Sequence, residues 1–288
     1  TGTASAILTG NPERGYFGTK KLTFKISPCK DLTNAQLSFD KSVAYAKGGC
    51  MPDVEVTLGG VTLVKGTDYK VAYKNNKAVA GKDAAKKPTI TVTGVGNYKG
   101  TLSGTFEITP QELGNLKMQA KDKVAGTKKN SYATTVTITD LDGKNLQAGK
   151  DYEKLLTYQY GDTVLNKDME PSAYPAGTVI KVTAVGKGAY TGEISATYRM
   201  VAVSIEKAKV TLNGSFNYEG KELQIAQDQL KIELKVGRET RTLNAQDYEI
   251  IGYKNNLAKG TATVILHGLG EYGGTKNVTF KIGARPIG

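Results

Sequence analysis

The sequence of 288 residues contains no tryptophan, one histidine and two cysteines. So few histidines and cysteines cannot supply the four ligands of the usual structural zinc site. No apolar run is long enough for a membrane-spanning helix, and no signal peptide is recognisable. We therefore expect no metal site, no cofactor and no membrane insertion in this stretch of chain.

Motifs that carry catalysis are also missing. The Gly-rich stretch Gly94–Gly100 lacks the following helix and the Lys–hydroxyl pair of a phosphate loop, and no nucleophile elbow surrounds any serine. The lone His267 falls at a predicted strand end, where we expect a surface residue. An aspartate recurs beside tyrosine at Asp68, Asp151 and Asp247, which is more typical of an aspartate that bonds a turn amide. We expect no catalytic or cofactor-binding residue, and no enzyme.

What the chain does contain is a repeat. Its copies share a tyrosine that follows a Gly-rich turn, and the tyrosines recur roughly 80 to 90 residues apart, at Tyr16, Tyr98, Tyr190 and Tyr272. The copies run over Gly2–Ile26, Gly66–Ile108, Ala148–Met200 and Asn244–Ile282. A period of this length indicates a tandem array of small domains, since solenoid turns are shorter.

Each copy has the pattern of β-strands. In Thr89–Thr93, apolar and hydroxyl residues alternate, which predicts a strand with one buried face. Gly94–Gly100 predicts a hairpin turn, and Thr101–Ile108 then alternates again. Asn75 and Asn76 end an earlier strand, and asparagine tolerates left-handed backbone. Short strands with turn signals every 8–12 residues predict an all-β fold of tandem Ig-like antiparallel β-sandwich domains.

The closing strands of the copies set the predicted domain boundaries. The first copy has only the C-terminal strands, and Ala6, Leu8, Phe24 and Ile26 give it one apolar face. Because the chain begins inside a repeat, we expect this face to be covered by upstream residues, by the next domain or by a second copy. The predicted domains are residues 1–27 as a partial Ig-like repeat, 28–109, the divergent 110–203, and 204–288.

The formal net charge is +12, from 39 Lys and Arg against 27 Asp and Glu. These charges are spread over all four predicted domains, whereas a nucleic-acid-binding protein concentrates its cations on one element. We therefore expect no nucleic-acid partner. A basic surface of this kind can still lie against anionic wall polymers or acidic glycans.

The two cysteines, Cys29 and Cys50, fall in the same predicted domain. An even count within one small domain favours a disulfide if the chain is exported. The closed loop would contribute about 3 kcal/mol in the chain-entropy model. The alternative is a pair of buried or edge thiols.

The repeat resembles a known family. Its signature is carried by Gly66–Tyr69, Tyr73–Asn76 and Gly94–Thr101, and parts of it recur as Asp247-Tyr248, Tyr253–Asn256 and Gly260–Val264. This pattern resembles the tandem bacterial Ig-like repeats of Gram-positive (Firmicutes) cell-surface or secreted proteins. The resemblance implies an extracellular location, at the cell surface or in the cell wall. It implies roles as spacers, as adhesin segments or as accessories of surface enzymes.

These observations predict a non-catalytic stalk that presents another module away from the cell. Three sandwiches in line would span about 100–120 Å, and we expect a monomer. The alternative is an adhesin or carbohydrate-binding region that recognises host or plant glycans or proteins. For that role the divergent loop Val164–Pro175 and the turn before it are the candidate binding surface. Its candidate residues are Tyr160, Asp162, Asp168, Glu170 and Tyr174.

Overall fold

The computed structural model describes residues 2–28 and 30–284. Over those residues the fold is all-β, as predicted, and no α-helix occurs there. The connections contain short 3-10 helices. They span Pro12–Arg14, Leu32–Asn34, Leu113–Asn115, Pro171–Ala173, Ile205–Lys207 and Gln227–Gln229.

The chain opens with an antiparallel hairpin of β1 (Gly2–Thr9) and β2 (Thr19–Ile26). In the turn, Oδ1 of Asn11 accepts a hydrogen bond from the backbone N–H of Glu13 at 3.0 Å, which caps the 3-10 helix. Nearly all side chains of the two strands are exposed. The apolar face of the hairpin therefore does not pack on the domain that follows it, contrary to one of our expectations.

The first sandwich covers residues 30–109. Its strands are β3 (Lys30–Asp31), β4 (Gln36–Ser38), β5 (Ser42–Ala44), β6 (Glu55–Leu58), β7 (Val61–Thr62), β8 (Tyr69–Lys74), β9 (Thr89–Gly94), β10 (Tyr98–Lys99), β11 (Thr101–Thr105) and β12 (Glu107–Thr109). One sheet has the order β4-β6-β7 and the other β11-β9-β8. The core lies between them, because Val56 of the first sheet and Ile90 and Val92 of the second share one buried cluster.

The second sandwich covers residues 111–201. The strands here are β13 (Gln111–Glu112), β14 (Lys117–Ala120), β15 (Lys123–Val124), β16 (Val136–Thr139), β17 (Thr157–Tyr160), β18 (Thr163–Val164), β19 (Val179–Val185), β20 (Tyr190–Thr191) and β21 (Glu193–Val201). The two sheets have the orders β14-β16 and β15-β21-β19-β17-β18. Ile180, Val182 and Met200 of the larger sheet are fully buried, and Met118 of the smaller sheet packs against them.

The third sandwich covers residues 203–283. Its strands are β22 (Val203–Ser204), β23 (Lys209–Leu212), β24 (Leu230–Val236), β25 (Glu239–Thr242), β26 (Tyr248–Lys254), β27 (Gly260–Gly268), β28 (Tyr272–Gly273) and β29 (Thr275–Ile282). The sheets β23-β24-β25 and β26-β27-β29 enclose its core. Ile232 and Leu234 come from one sheet, and Val264 and Leu266 from the other.

In the first and third sandwiches, a short opening segment pairs with the last turn of the same sandwich. In the first sandwich β3 pairs in parallel with β10, and in the third β22 pairs in parallel with β28. A 3-10 helix follows each opening segment, and its first residue, Leu32 or Ile205, is buried. The pairing fixes the start of each sandwich to a turn near its end.

The closing turns share one geometry. In each, the N–H of a glycine at the end of one strand donates to the carbonyl of the glycine that precedes the next strand. These bonds are Gly10 to Gly18 (2.9 Å), Gly94 to Gly100 (3.0 Å), Gly186 to Gly192 (2.8 Å) and Gly268 to Gly274 (3.1 Å). The accepting glycines all have positive φ, which side chains with a Cβ adopt only under strain. This requirement explains why the turn is Gly-rich in every copy.

The chain forms two compact units. One holds the described residues through Gln111 together with Gly188–Thr191. The other holds Glu112–Lys187 and the described residues from Gly192 onward, so it contains most of the second sandwich and the third. The boundaries of the four predicted domains stay a prediction.

Candidate functional site

The predicted binding loop does not form a convergent site. Tyr160 and Asp162 lie at a tight hairpin, in which Tyr160 pairs with Thr163. Asp168 and Glu170 are exposed, and Glu170 forms an ion pair with Lys129 at 2.9 Å. Exposed pairs of this kind contribute little to stability, so the loop carries solvated charges. A binding role for these four residues stays a prediction.

Tyr174 was the fifth candidate, and its placement on the surface is wrong. Its side chain is only 1% exposed and packs edge-to-face on Tyr132, with ring centroids 5.2 Å apart. Tyr132 also packs on Tyr158, which in turn meets Tyr198. The hydroxyl of Tyr198 donates to the backbone carbonyl of Tyr132. The loop Val164–Pro175 therefore folds back and supplies Tyr174 to the core, where no ligand can reach this side chain.

Burial changes the ionisation of this tyrosine cluster. Loss of solvent raises the pKa of Tyr198 above its ordinary value, and the neighbouring Tyr158 and Tyr132 raise it further. Burial likewise raises the pKa of Tyr132 and of Tyr158. These phenols stay protonated at neutral pH, as expected for packing groups in a low-dielectric core.

The recurring aspartate bonds a turn amide in the three sandwiches, as predicted. Oδ2 accepts from a backbone N–H three or four residues earlier, and this bond ties the turn before the adjacent tyrosine strand. The bonds are Val64 N–H to Asp68 (2.9 Å), Gln147 N–H to Asp151 (2.9 Å) and Asn244 N–H to Asp247 (2.7 Å). The predicted left-handed backbone is also present, at Asn75 and Asn255.

Cys50 is buried, and its Sγ accepts a hydrogen bond from the backbone N–H of Ala46 at 3.3 Å. Cys29 lies outside the described residues. The disulfide between the two cysteines therefore stays a prediction.

A polar cluster of Asp122, Arg199 and His267, which we call the joint, connects the second sandwich to the third within the second compact unit. Nη2 of Arg199, on β21, donates to Oδ2 of Asp122 at 3.0 Å. The backbone N–H of Arg199 donates to Oδ1 of the same carboxylate at 2.8 Å. The side chain of Asp122 is 8% exposed. Both of its oxygens are hydrogen-bonded and its charge is paired, which are the conditions under which a carboxylate can be buried.

The same guanidinium reaches the closing turn of the third sandwich. Nη2 donates to the carbonyl oxygen of Gly268 at 2.7 Å and to that of Tyr272 at 3.4 Å. Arginine suits this position because its planar group is always charged and presents several donors in a fixed geometry. Arg199 thus ties a carboxylate of the second sandwich to backbone carbonyls of the third.

His267 completes the cluster. Its Nε2 lies 3.2 Å from Nη2 of Arg199 and 3.7 Å from Oδ2 of Asp122. Since an arginine can only donate, a hydrogen bond between these two groups requires Nε2 of His267 as the acceptor. The side chain is half-buried in this joint, so our expectation of an ordinary surface residue is not met.

The backbone of the connection is held as well. The N–H groups of Ala202 and Val203 both donate to the carbonyl of Glu271, at 3.0 and 3.1 Å. Gly273 allows the close approach, because a Cβ on it would lie 2.6 Å from Cγ1 of Val201. The connection between these two sandwiches is therefore hydrogen-bonded along its length.

Sequence reasoning missed Asp122 and Arg199. One signal was available: Arg199 stands between Tyr198 and Met200, at the position that Lys25 and Lys281 occupy in other copies. An arginine in place of a solvated lysine at one copy favours a directed contact. The partner could not have been named, since Asp122 lies far from Arg199 in the sequence.

In the contacts described for residues 2–28 and 30–284, no serine, threonine or cysteine side chain bonds to His267. Nor do those residues bring three His, Cys, Asp or Glu side chains together in a way that could hold a metal ion. Arg199 and Asp122 form an ion pair in which Nη2 and Oδ2 lie 3.0 Å apart. In the same part of the chain, no helix has the length and apolar character that crossing a membrane requires.

Comparison with known proteins reveals little similarity. No family model matches the chain, and no curated protein matches it. Among solved structures, protocadherin gamma B2 extracellular cadherin domains 3–6 align with 86% of this chain and 73% of theirs, at 10% identity and a TM-score of 0.20. Protocadherin gamma B7 extracellular cadherin domains 1–4 align with 98% of this chain and 72% of theirs, at 9% identity and a TM-score of 0.21. At these scores neither alignment bears on the function of this chain.

Proposed function

We propose that this chain is a non-catalytic stalk or spacer segment that presents another module at a distance from a cell. The observation that carries the proposal is the joint of Asp122, Arg199 and His267. A spacer must transmit the position of one domain to the next, and a joint with a paired buried charge resists bending more than a solvated linker does.

The repeat itself supports a mechanical role. The features shared by the sandwiches are the turn glycines, the aspartate that bonds a turn amide and the buried apolar residues. All of these determine folding. The residues that differ between copies, such as the loop around Asp168, lie mostly on solvated surfaces.

The location follows from the resemblance to tandem Ig-like repeats of Gram-positive surface and secreted proteins. On that basis we propose an extracellular chain, at a bacterial cell surface or in the wall. Its distributed positive charge would favour contact with anionic wall polymers or acidic glycans.

The alternative function is an adhesin or carbohydrate-binding region. Sugar sites usually stack planar aromatic side chains against the ligand, and this chain has no tryptophan. Of the tyrosines proposed for such a site, Tyr174 is buried and Tyr160 is exposed at a hairpin. The geometry therefore favours the spacer.

Small-angle X-ray scattering tests the spacer. A stalk of three sandwiches should have a maximum dimension of about 100–120 Å and a radius of gyration of about 30 Å. A value near ~19 Å, which a compact chain of this length would have, contradicts the proposal.

The same measurement tests the joint. Arg199→Met removes the charge and the donors while keeping an apolar stem, so it should broaden the distribution of interatomic distances. Arg238→Met is the matched control, because Arg238 is an exposed arginine on the same compact unit, in the turn between β24 and β25. Identical scattering curves for Arg199→Met and the unchanged chain would mean that the cluster does not restrict bending.

A further inference from the structure

The connection between β8 and β9 of the first sandwich is strongly basic. It spans residues 75–88, and together with Lys74 at the end of β8 it carries five lysines against one acid, Asp83. The whole chain has 39 Lys and Arg for 27 Asp and Glu, so this segment is far more basic than the rest. We call its five exposed lysines the lysine patch: Lys74, Lys77, Lys82, Lys86 and Lys87.

The length of this connection distinguishes the first sandwich from the third. Both connections begin with a left-handed asparagine, Asn75 or Asn255. In the third sandwich five residues, 255–259, then suffice to join β26 to β27, whereas fourteen residues join β8 to β9. The shorter connection contains one lysine, Lys259. The extension of the first sandwich therefore brings most of the lysine patch with it.

The backbone of the connection is fixed to the sandwich. The side-chain amide of Asn75 donates to the carbonyl of Lys87 at 3.2 Å, which ties the start of the connection to its end. In the middle, Ala80 and Ile108 of β12 exchange two backbone hydrogen bonds, each of 2.9 Å. Because the backbone is already ordered, a ligand would have to order only the lysine side chains, which lowers the entropic cost of binding.

The lysine patch lacks counter-charges. None of its lysines forms an ion pair with a carboxylate of residues 2–28 and 30–284, whereas Lys129 and Lys187 each contact a glutamate, at 2.9 and 3.3 Å. Lys74 lies opposite Thr89 on the paired strands, so it is also near Lys87. Like charges that are held close together repel one another, and an anion that bridges them relieves this repulsion.

The residue types of the connection indicate which anion fits. All its cations are lysines, and an ammonium group binds a tetrahedral oxyanion as a point charge, whereas bidentate binding of a planar carboxylate favours arginine. Residues 74–88 contain no aromatic residue on which a nucleic-acid base could stack. Val79, which is 38% exposed, offers little apolar surface for insertion into a membrane.

We propose that the lysine patch binds an anionic glycan through the sulfate or phosphate groups of that glycan. Several ammonium groups would each contact one oxyanion, and the flexible sugar chain would lie along the connection without entering a pocket. This inference goes beyond the spacer function, which does not depend on it. It also places glycan binding on a different surface from the loop Val164–Pro175.

Fluorescence anisotropy with two labelled glycans tests the proposal in the full chain. The probes are a short heparin oligosaccharide, which is sulfated, and a phosphomannan oligosaccharide, which is phosphorylated. At about 0.15 M NaCl we expect saturable binding of at least one probe, and this binding should weaken as the salt concentration rises. The expected dissociation constant is about 1–100 µM. The probe that binds more tightly identifies the oxyanion.

Two triple variants separate the lysine patch from the net charge of the chain. The first removes three charges from the patch: Lys82→Gln, Lys86→Gln and Lys87→Gln. It should weaken binding by about tenfold or more. The matched control removes the same charge from three exposed lysines of β2: Lys20→Gln, Lys21→Gln and Lys25→Gln. It should weaken binding by less than about twofold. All six side chains are exposed, so neither variant should impair folding, which circular dichroism checks.

Four results would overturn the proposal. The first is the absence of saturation with either glycan at ~1 mM. The second is an equal loss of binding in both triple variants, which would mean that only the net charge matters. The third is equally tight binding of polyglutamate, which would mean that charge density alone is recognised. The fourth is tighter binding of oligothymidine or of phosphatidylserine vesicles, which would make a nucleic acid or a membrane the partner. None of them affects the scattering test of the spacer.

Discussion

The hairpin β1–β2 and the strands β27 and β29 share their sequence pattern, their register and the glycine bond of their turn. Their environments are opposite, since Leu8 is exposed and Leu266 is fully buried. The comparison shows that local pattern determines strand pairing, whereas burial is determined by segments distant in sequence.

The largest expected effect comes from truncating these two leucines. Leu266→Ala should lower the free energy of unfolding of the third sandwich by about 3 kcal/mol, because it leaves a cavity in a packed core. Leu8→Ala should change stability by less than about 0.5 kcal/mol. Urea unfolding, followed by the exchange of amide hydrogens in β1 and β27, measures both. A large loss for Leu8→Ala would mean that the hairpin face is covered in solution.

The predicted disulfide would join Cys29, which follows the open hairpin in the sequence, to Cys50 in the first sandwich. Non-reducing mass spectrometry of aerobically purified protein should find two hydrogens fewer than after reduction. Reduction should then destabilise the first sandwich by about 3 kcal/mol, because the unfolded chain gains conformational freedom. If iodoacetamide labels both Cys29 and Cys50 in the denatured protein without prior reduction, no disulfide was present.

Replacing the residue that follows Tyr272 or Tyr16 should have a smaller effect on stability. Gly273→Ala should destabilise the joint by about 1–3 kcal/mol, since its Cβ would lie within 2.9 Å of Val201 and Asp122. Phe17→Ala, at the equivalent position of the open hairpin, should have almost no effect. Differential scanning calorimetry distinguishes them, and equal melting temperatures for the two variants would argue against a tightly packed joint.

Alkaline pH should destabilise the second sandwich. Burial raises the pKa of Tyr198, so the folded chain keeps a phenol proton that the unfolded chain releases above about pH 10. The free energy of unfolding should therefore fall as pH rises above that value, by at most about 1.4 kcal/mol per pH unit for each such tyrosine.

Urea midpoints between pH 9 and pH 11.5 measure this alkaline effect. Tyr198→Phe should reduce the slope, and Tyr16→Phe, at the exposed turn, serves as the control. A slope that is the same in both variants would show that Tyr198 does not contribute.

The features that the sequence predicted are local ones. Alternation within β9 and β27 was enough to find strands, because the period of two belongs to each strand alone. The left-handed Asn75 and the amide bond of Asp68 follow from turn chemistry over a few residues.

The features that it missed depend on contacts between distant segments. Arg199 and Asp122 meet only after β21 has been placed beside the connection that follows β14. Tyr174 was assigned to the surface because it lies in an insertion that departs from the repeat, yet the loop carries it back to Tyr132. No local pattern indicates which residue of a loop points inward.

The pairing of β22 with β28 has a consequence for biosynthesis. When Val203–Ser204 leaves the ribosome, its partner Tyr272–Gly273 has not yet been made. The closing hairpin joins residues that are close in sequence, so it can form quickly once it has been made. It is, however, the last part of the sandwich to be translated. The front half of each such sandwich must therefore be kept from aggregating until its final strands emerge, and translation of those strands determines when the sandwich can fold.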